Sequence, residues 1–257
     1  MGLSGPYGEL ALGSLMFTPD HARGWVEHAA AAFAEQRQLL TVLDQAIGDG
    51  DHGDNLARGF AAARDQLLPE GASVGAVLRH VGMTLVSTVG GAAGPLYGTL
   101  FLQLGREVGE TTDVEDGAFS AGFRAAVTAV AARGRAQAGD KTLLDALCPA
   151  AAALESAVRA GMPLPLATHA AAQAADFGAA ETVSLIARRG RASYLGERAV
   201  GHADPGAVSS TVLIYALRYA VDPSAVDPSA EHPLTVKLSA VEQADGAHVL
   251  DPGAARS

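Results

Sequence analysis

Apolar residues recur at three- and four-residue spacing along most of this chain, and alternation at period two is scarce. Such spacing marks helices that bury one face. Thr18-Pro19-Asp20 reads as a helix start, with Thr18 as cap, Pro19 in the first helical position and Asp20 at the positive end. The periodicity then runs through Trp25, Phe33, Leu40 and Leu43. That is long for one helix, so a break is expected within residues 37–41. A new helix is expected to open at Asp54 or Asn55 and to end by Pro69. Residues 73–89 carry Val74, Val77, Leu78, Val81 and Leu85 at helical spacing. A glycine-rich run interrupts them, and Pro95 restarts a helix through Leu100, Phe101 and Leu104. Further helices are expected over 114–133, 142–160, 165–188 and 206–220. The pattern predicts an all-α domain of eight helices over residues 18–220.

The ends differ. Residues 1–17 are Gly-rich and weakly patterned, which suggests a flexible extension. After 220, Asp222-Pro223-Ser224-Ala225 is echoed by Asp227-Pro228-Ser229-Ala230, and Pro with Asp excludes a regular helix there. Thr235-Val236-Lys237-Leu238 reads as a short extended piece. Residues 221–257 are expected to form a peripheral or disordered tail.

Composition supports the helical reading and narrows the partners. The chain has 257 residues, 49% of them hydrophobic but only 5% aromatic, a balance suited to close-packed helices. The formal net charge of −10 argues against a nucleic-acid partner, which would need a basic face. No apolar run reaches membrane-spanning length, and the N-terminus lacks the pattern of a secretory signal. The single cysteine, Cys148, forms no internal disulfide and is expected to be buried packing. A soluble cytoplasmic protein is the default expectation.

The chemistry concentrates in four places. The first is Asp44-Gln45-Ala46-Ile47-Gly48-Asp49-Gly50-Asp51-His52-Gly53-Asp54-Asn55. Acids at 44, 49 and 51 crowd the end of a helix whose carbonyls already carry negative charge, with Gly48 as its C-terminal cap. That arrangement calls for a cation. Carboxylates on a tight turn suit Mg²⁺, which keeps some of its waters and binds beside phosphates. The free N–H groups of the next helix would offer an anion site close by, and His52 reads either as a ligand-facing donor or as a structural histidine; a solvated acidic loop is the plain alternative to the whole site. The second is Gly90-Gly91-Ala92-Ala93-Gly94-Pro95-Leu96-Tyr97-Gly98-Thr99. It reads equally as a phosphate cradle and as close helix packing through small residues. It is not a P-loop, because no Gly-Lys-Ser/Thr follows.

The third is Gly139-Asp140-Lys141-Thr142-Leu143-Leu144-Asp145, which holds one of only two lysines. Asp140 or Thr142 would cap a helix, and Asp145 is either a further acid of the site or an exposed first-turn residue. The fourth is Arg191-Ala192-Ser193-Tyr194-Leu195-Gly196-Glu197-Arg198 with Gly201-His202-Ala203-Asp204-Pro205-Gly206. Arg191 suits bidentate pairing with phosphate oxygens or stacking on a base, and Asp204-Pro205-Gly206 reads as a turn and helix start. Trp25 and Tyr215 are expected in the core. His21, His28, His169, His232 and His248 show no ligand spacing.

Together and in this order, the four motifs resemble the nucleotide-binding L subunit of dihydroxyacetone kinases over residues 15–220. The resemblance implies an eight-helix antiparallel barrel with the nucleotide at one end. It implies that Asp44, Asp49 and Asp51 hold two Mg²⁺ ions, and that His52, Gly53, Asp54, Asn55, Ala92, Ala93, Gly134, Leu143, Arg191, Asp204, Pro205 and Gly206 line ADP or ATP. Ala93 stands where the family often has Ser, and Leu143 where it often has Met. The implied activity is phosphoryl transfer to a hydroxyl of a small ketose, with Arg191 catalytic. A separate K-type subunit would hold dihydroxyacetone, and either ATP or a phosphotransferase-system protein would be the donor. Other readings are a kinase for a tetrulose or a fatty acid, and a nucleotide-sensing regulatory module.

Overall fold

The computed structural model describes residues 16–225, and these are helical nearly throughout. Residues 1–15 of the expected N-terminal extension and most of the tail, including the second Asp-Pro-Ser-Ala run, residues 235–238, His232 and His248, lie outside the described residues, whereas Phe17, expected in the flexible extension, is fully buried.

The helices are α1 (Pro19–Glu35), α2 (Arg37–Ile47), α3 (His52–Asp65), α4 (Val74–Thr88), α5 (Ala93–Val108), α6 (Asp116–Gly134), α7 (Leu144–Arg159), α8 (Leu164–Glu181) and α9 (Pro205–Val221). Two 3-10 segments, Thr182–Ser184 and Arg191–Ala199, interrupt the stretch between α8 and α9. Among the described residues the β contribution is one isolated bridge, Phe17 with Val114. No described helix is long and apolar enough to cross a membrane.

Local chemistry sets these boundaries. The Thr18 hydroxyl accepts the His21 N–H at 3.3 Å while the Thr18 N–H donates to His21 Nδ1 at 3.2 Å, a reciprocal cap that opens α1. The first long periodic run breaks at Gln36, one residue before the expected interval, so nine α-helices replace the expected eight among the described residues. α3 opens at His52 rather than at Asp54 or Asn55, because the Asp51 and His52 N–H groups both turn back to the Asp44 carboxylate. Gly53 lies in the first turn of α3 against the Arg37 carbonyl, where a Cβ would overlap it. α5 opens at Ala93, so Pro95 sits inside the first turn, where its missing N–H costs nothing. α8 stops at Glu181, short of residue 188, because the carbonyls of Thr182 and Leu185 turn to Lys141 instead of continuing the helix.

α4 packs on α5, α5 on α6, α6 on α7, α7 on α8 and α8 on α9; α1 packs against both α9 and α3, and α3 against α4. The α4/α5 contact is backbone on backbone: Gly75 faces the Gly105 carbonyl, and Gly82 and Gly98 face one another's carbonyls. Trp25, Phe33, Phe60, Tyr97 and Phe101 are all fully buried or nearly so and fill the centre, with Trp25 and Phe101 rings 4.8 Å apart. The Trp25 indole N–H donates to the Leu213 carbonyl at 2.9 Å. Tyr215 is buried as expected and donates to Asp176. Cys148 is half-buried rather than buried, and desolvation raises its thiol pKa.

Candidate functional site

α2 ends at Gly48, whose N–H donates to the Asp44 carbonyl at 2.5 Å. A Cβ at Gly48 would overlap Asp44 Oδ1, so only glycine leaves that carboxylate its position. The buried Asp44 accepts Asp51 N–H at 3.0 Å and His52 N–H at 3.2 Å through Oδ2. These bonds fold the Asp49–Asp51 turn back over the helix end. One carboxylate oxygen from each of Asp44, Asp49 and Asp51 then lies within 4.8 Å of the others. Three acids at the negative end of a helix repel one another and the helix carbonyls, and a bound cation would offset that repulsion. Hard oxygen ligands at that separation, two of them exposed, fit a Mg²⁺ that keeps waters or phosphate oxygens in its remaining positions.

Beside this cluster opens a cavity of about 370 Å³. Four helix N-termini face it: α3 through Asp51 and His52, α5 through Ala92 and Ala93, α7 through Thr142 to Leu144, and α9 through Asp204 to Gly206. Each carries the partial positive charge of a helix start, although Asp44 already takes the His52 N–H of α3 and Asp204 the Ala207 N–H of α9. The cavity thus pairs a carboxylate cluster at one edge with donors suited to an anion. Leu96, Val130, Leu143 and Leu144 give another part of the wall an apolar character.

Arg191 reaches this edge from the 3-10 segment, its Nη2 lying 2.9 Å from Asp49 Oδ2. Asn55 is buried, and its Oδ1 accepts from Arg58 at 2.6 Å. Gly90 lies so close to Asn55 that a Cβ would crowd its amide. The glycine-rich run therefore does both things its sequence allowed: Gly94 and Gly98 serve helix packing, and Gly90 to Ala93 line the cavity.

Behind the wall lies a hydroxyl network. His52 Nε2 is 2.8 Å from Ser209 Oγ, and the Tyr97 hydroxyl is 2.7 Å from Ser209 Oγ and 3.0 Å from Ser210 Oγ. Burial lowers the His52 pKa, against the opposing pull of Asp44 and Asp51, so the ring is neutral near pH 7. Burial pushes the Tyr97 hydroxyl up to about 12. Asp204 caps α9 by accepting the Ala207 N–H at 2.7 Å. Its carboxyl is pushed up to about 7 by burial first, with the Ala207 N–H opposing and Asp145 adding to the rise.

The structure brings Asp44, Asp49, Asp51, His52, Asn55, Ala92, Ala93, Gly134, Leu143, Arg191, Asp204, Pro205 and Gly206 to one cavity. Gly53 and Asp54 lie outside its lining. Gly53 packs on α2, and Asp54 is paired with Arg37 at 2.5 Å on the surface. Asp145 is neither an exposed first-turn acid nor a member of the carboxylate cluster. It is buried, and accepts Gly139 N–H at 2.5 Å and Thr142 N–H at 2.7 Å, which folds the turn ahead of α7. Neither Asp140 nor Thr142 is the N-cap residue of α7, although the Thr142 hydroxyl accepts the Leu144 N–H. The sequence reading missed Ser209 and Ser210. Their signal is Ser209-Ser210-Thr211, three hydroxyls in a row in an otherwise apolar helix.

Comparison with known proteins agrees with this geometry. The DAK2 domain model matches residues 46–219. The chain is 38% identical over 198 residues to "PEP-dependent dihydroxyacetone kinase, ADP-binding subunit DhaL" of Escherichia coli (strain K12), covering 76% of this chain and 94% of that protein. It is 40% identical over 205 residues to "PEP-dependent dihydroxyacetone kinase 1, ADP-binding subunit DhaL" of Listeria innocua, covering 79% of this chain and 97% of that protein. The dihydroxyacetone kinase from C. freundii, solved in complex with AMP-PNP and Mg²⁺, shares the fold with a TM-score of 0.61 at 22% identity. That alignment covers 86% of this chain and 37% of the larger one. From residue 46 to residue 219 the chain is a DAK2 domain, and it belongs to that family.

Proposed function

We propose that this chain is the nucleotide-binding, phosphoryl-transferring subunit of a dihydroxyacetone-type kinase. The observation that carries the reading is the meeting of the Asp44, Asp49 and Asp51 oxygens with four helix N-termini around one cavity. A nucleoside di- or triphosphate has the matching character: phosphates for the charged edge and a flat base for the apolar wall. The relatives matched over nearly their whole length are named ADP-binding subunits, which supports ADP or ATP as the ligand and a separate K-type subunit as holder of the ketose.

In this reading Asp44, Asp49 and Asp51 hold two Mg²⁺ ions. Mg²⁺ bound there would neutralise the phosphate oxygens and fix their orientation. Arg191 draws charge from the phosphoryl group, and the N-termini of α3 and α5 donate to the phosphates. Gly134 and Leu143 flank the base, while Asp204, Pro205 and Gly206 close the wall behind it. Ala93 contributes a backbone donor and no hydroxyl. Gly53 and Asp54 act at one remove, by seating α3 on α2. The K-type subunit presents the acceptor hydroxyl at the open edge. The donor is a phosphotransferase-system protein fed from phosphoenolpyruvate, a choice supported by the names of the relatives.

Residues 18–220 form the nucleotide-binding helical domain in this reading, and the family match over 46–219 supports most of that span. The cycle of helix neighbours from α1 through α3 to α9 supports an eight-helix antiparallel barrel, with α2 continuing α1 outside the ring. The test is reconstitution. Purified chain should bind ADP only with Mg²⁺, and should form dihydroxyacetone phosphate only when a K-type subunit and a phosphoryl donor are added. Full turnover by the isolated chain would overturn the division of labour. No Mg²⁺-dependent ADP binding would overturn the whole reading.

A further inference from the structure

Lys141 is one residue of the third motif that the cavity does not use. It is 1% exposed and lies outside the cavity lining, so it is not a phosphate-binding lysine. Its backbone is left-handed, with φ of 60°, a conformation that a non-glycine residue adopts only under compensation. The compensation is at the side-chain end. Nζ donates to four backbone carbonyls: Thr182 at 2.8 Å, Leu185 at 3.1 Å, Ala199 at 2.6 Å and His202 at 2.7 Å. Three protons shared among four oxygens, with no carboxylate in contact, is the ligand set of a small monovalent cation carried on a tether.

The four carbonyls are not scattered. Thr182 and Leu185 lie where the chain leaves α8, and Ala199 and His202 where it returns to α9. Arg191 lies midway between them. Two further bonds join the same strands of this neck, Gly201 N–H to the Val183 carbonyl at 2.8 Å and Asp204 N–H to Thr182 Oγ1 at 3.0 Å. Beyond the neck, the loop is anchored by a small apolar cluster of Ile47, Ala187, Ala192 and Ala199. Three alanine methyls, with the partly buried Leu195 packed against them, bury little area, so the polar neck is the stronger constraint. Arg191 meets Asp49 only because the loop folds back to α2.

We propose that Lys141 is a positioning residue: its buried ammonium ties the neck of the 182–202 loop and so presents Arg191 to the phosphate end of the cavity. Burial works against the charged form of Lys141, and the acids Asp204 and Asp145 work for it. The tie depends on a compact cation. Arginine would not serve, because its planar fork cannot converge on four carbonyls.

The consequence for Arg191 rests on the proposed function; the loop tie does not. Both are tested with Lys141→Met, which keeps the apolar stem, and Lys141→Ala, which leaves room for propylammonium. Hydrogen exchange read by mass spectrometry should show at least tenfold faster exchange over 183–201 in Lys141→Met, with α1 to α6 unchanged. In Lys141→Ala, n-propylammonium should restore protection, whereas 1-propanol should not. Unchanged protection, or equal rescue by the alcohol, overturns the tie. In reconstituted transfer, Lys141→Met should lower kcat more than it raises KM for the nucleotide. Adding it to Arg191→Gln should cause no further loss; losses that multiply would show that Lys141 does not act through Arg191.

If both variants fail to fold, the wild-type chain decides. With two lysines in the sequence, ¹⁵Nζ labelling gives two side-chain signals. One should be an ammonium with slowly exchanging protons, and two fast-exchanging signals would overturn the tie. Absence of nucleotide binding by the wild type would sink the kinase reading and leave the exchange result standing.

Discussion

Arg191 Nη2 rests 2.9 Å from Asp49 Oδ2, so the arginine expected to engage phosphate neutralises a carboxylate expected to engage metal. The Arg191 side chain is 66% exposed and that of Asp49 35%. Such a pair contributes less than about 1 kcal/mol, weak enough to be exchanged for a phosphate oxygen and a Mg²⁺. The two residues should therefore separate in function although they touch. Asp49→Asn should abolish Mg²⁺-dependent ADP binding. Arg191→Gln should leave that binding within a few-fold and lower turnover by about 100- to 1,000-fold, as loss of one charge-stabilising donor does. Calorimetric ADP titration beside a reconstituted transfer assay measures both, and equal loss of binding in the two variants would contradict this division.

Asp204 makes stability depend on pH in an unusual direction for an acid. Its carboxyl is pushed up to about 7 from the ordinary value of 3.8, with burial as the largest cause. Between those values the folded chain holds a proton that the unfolded chain has released. The contribution is complete below the unfolded pKa and is lost as pH rises through the folded pKa, with a slope of at most about 1.4 kcal/mol per pH unit. Asp204→Asn keeps a capping oxygen for the Ala207 N–H and has no proton to lose. Urea unfolding at pH 5 and pH 8 should show the wild type losing more stability than Asp204→Asn across that interval. Parallel losses would mean that Asp204 is ionised throughout.

What the sequence made legible was whatever local patterning controls. Thr18 caps α1, Gly48 caps α2 and Asp204 caps α9, because a cap depends on residues within one turn. The aspartate cluster was legible for a similar reason: Asp44, Asp49 and Asp51 lie within one helix end and one turn. Lys141, Asp145 and Ser209 were not. The Lys141 ammonium meets carbonyls 41 to 61 residues away, and Ser209 meets His52 across 157 residues. Spacing carries no information about such pairs. Asp145 misled because an acid in a first turn is favourable whether exposed or buried, and only the folded turn shows that it accepts the Gly139 and Thr142 N–H groups. Gly53 and Asp54 shared a motif with true lining residues, but their helical phase turns them toward α2 and Arg37.

Tyr97 joins the α5 wall to α9 through one hydroxyl that contacts both Ser209 and Ser210. Tyr97→Phe preserves the ring contacts and removes the shared partner. Ser209 retains the Gly206 carbonyl at 3.0 Å while Ser210 loses the Tyr97 hydroxyl, so the loss should be that of one to two buried hydrogen bonds, about 1–3 kcal/mol. His52 depends on Ser209, so ADP affinity should also fall, by several-fold. Denaturant midpoints and ADP titrations test the two effects separately. A variant as stable as the wild type would show that the serines find other partners.

Gly98 and Gly117 offer opposite outcomes from one substitution. Both lie within helices, α5 and α6, and neither has a positive φ. Propensity alone predicts that Gly→Ala at an interior helical site stabilises by up to about 1 kcal/mol. At Gly117 a Cβ would meet nothing within 4 Å, so Gly117→Ala should realise part of that gain, less than the full value because it lies in the first turn. At Gly98 a Cβ would overlap a Val86 methyl and press within 2.9 Å of the Gly82 carbonyl. The methyl can shift, but the carbonyl belongs to the α4 backbone, so relief requires the two helices to separate. Overpacking of that kind costs about 1–3 kcal/mol and outweighs the propensity gain. Because α5 also presents Ala92 and Ala93 to the cavity, its displacement should weaken ADP binding as well. Urea midpoints should thus move down for Gly98→Ala and up for Gly117→Ala, with ADP affinity changed only in the first. A Gly98→Ala midpoint at or above the wild type would mean that α4 and α5 are not held in backbone contact.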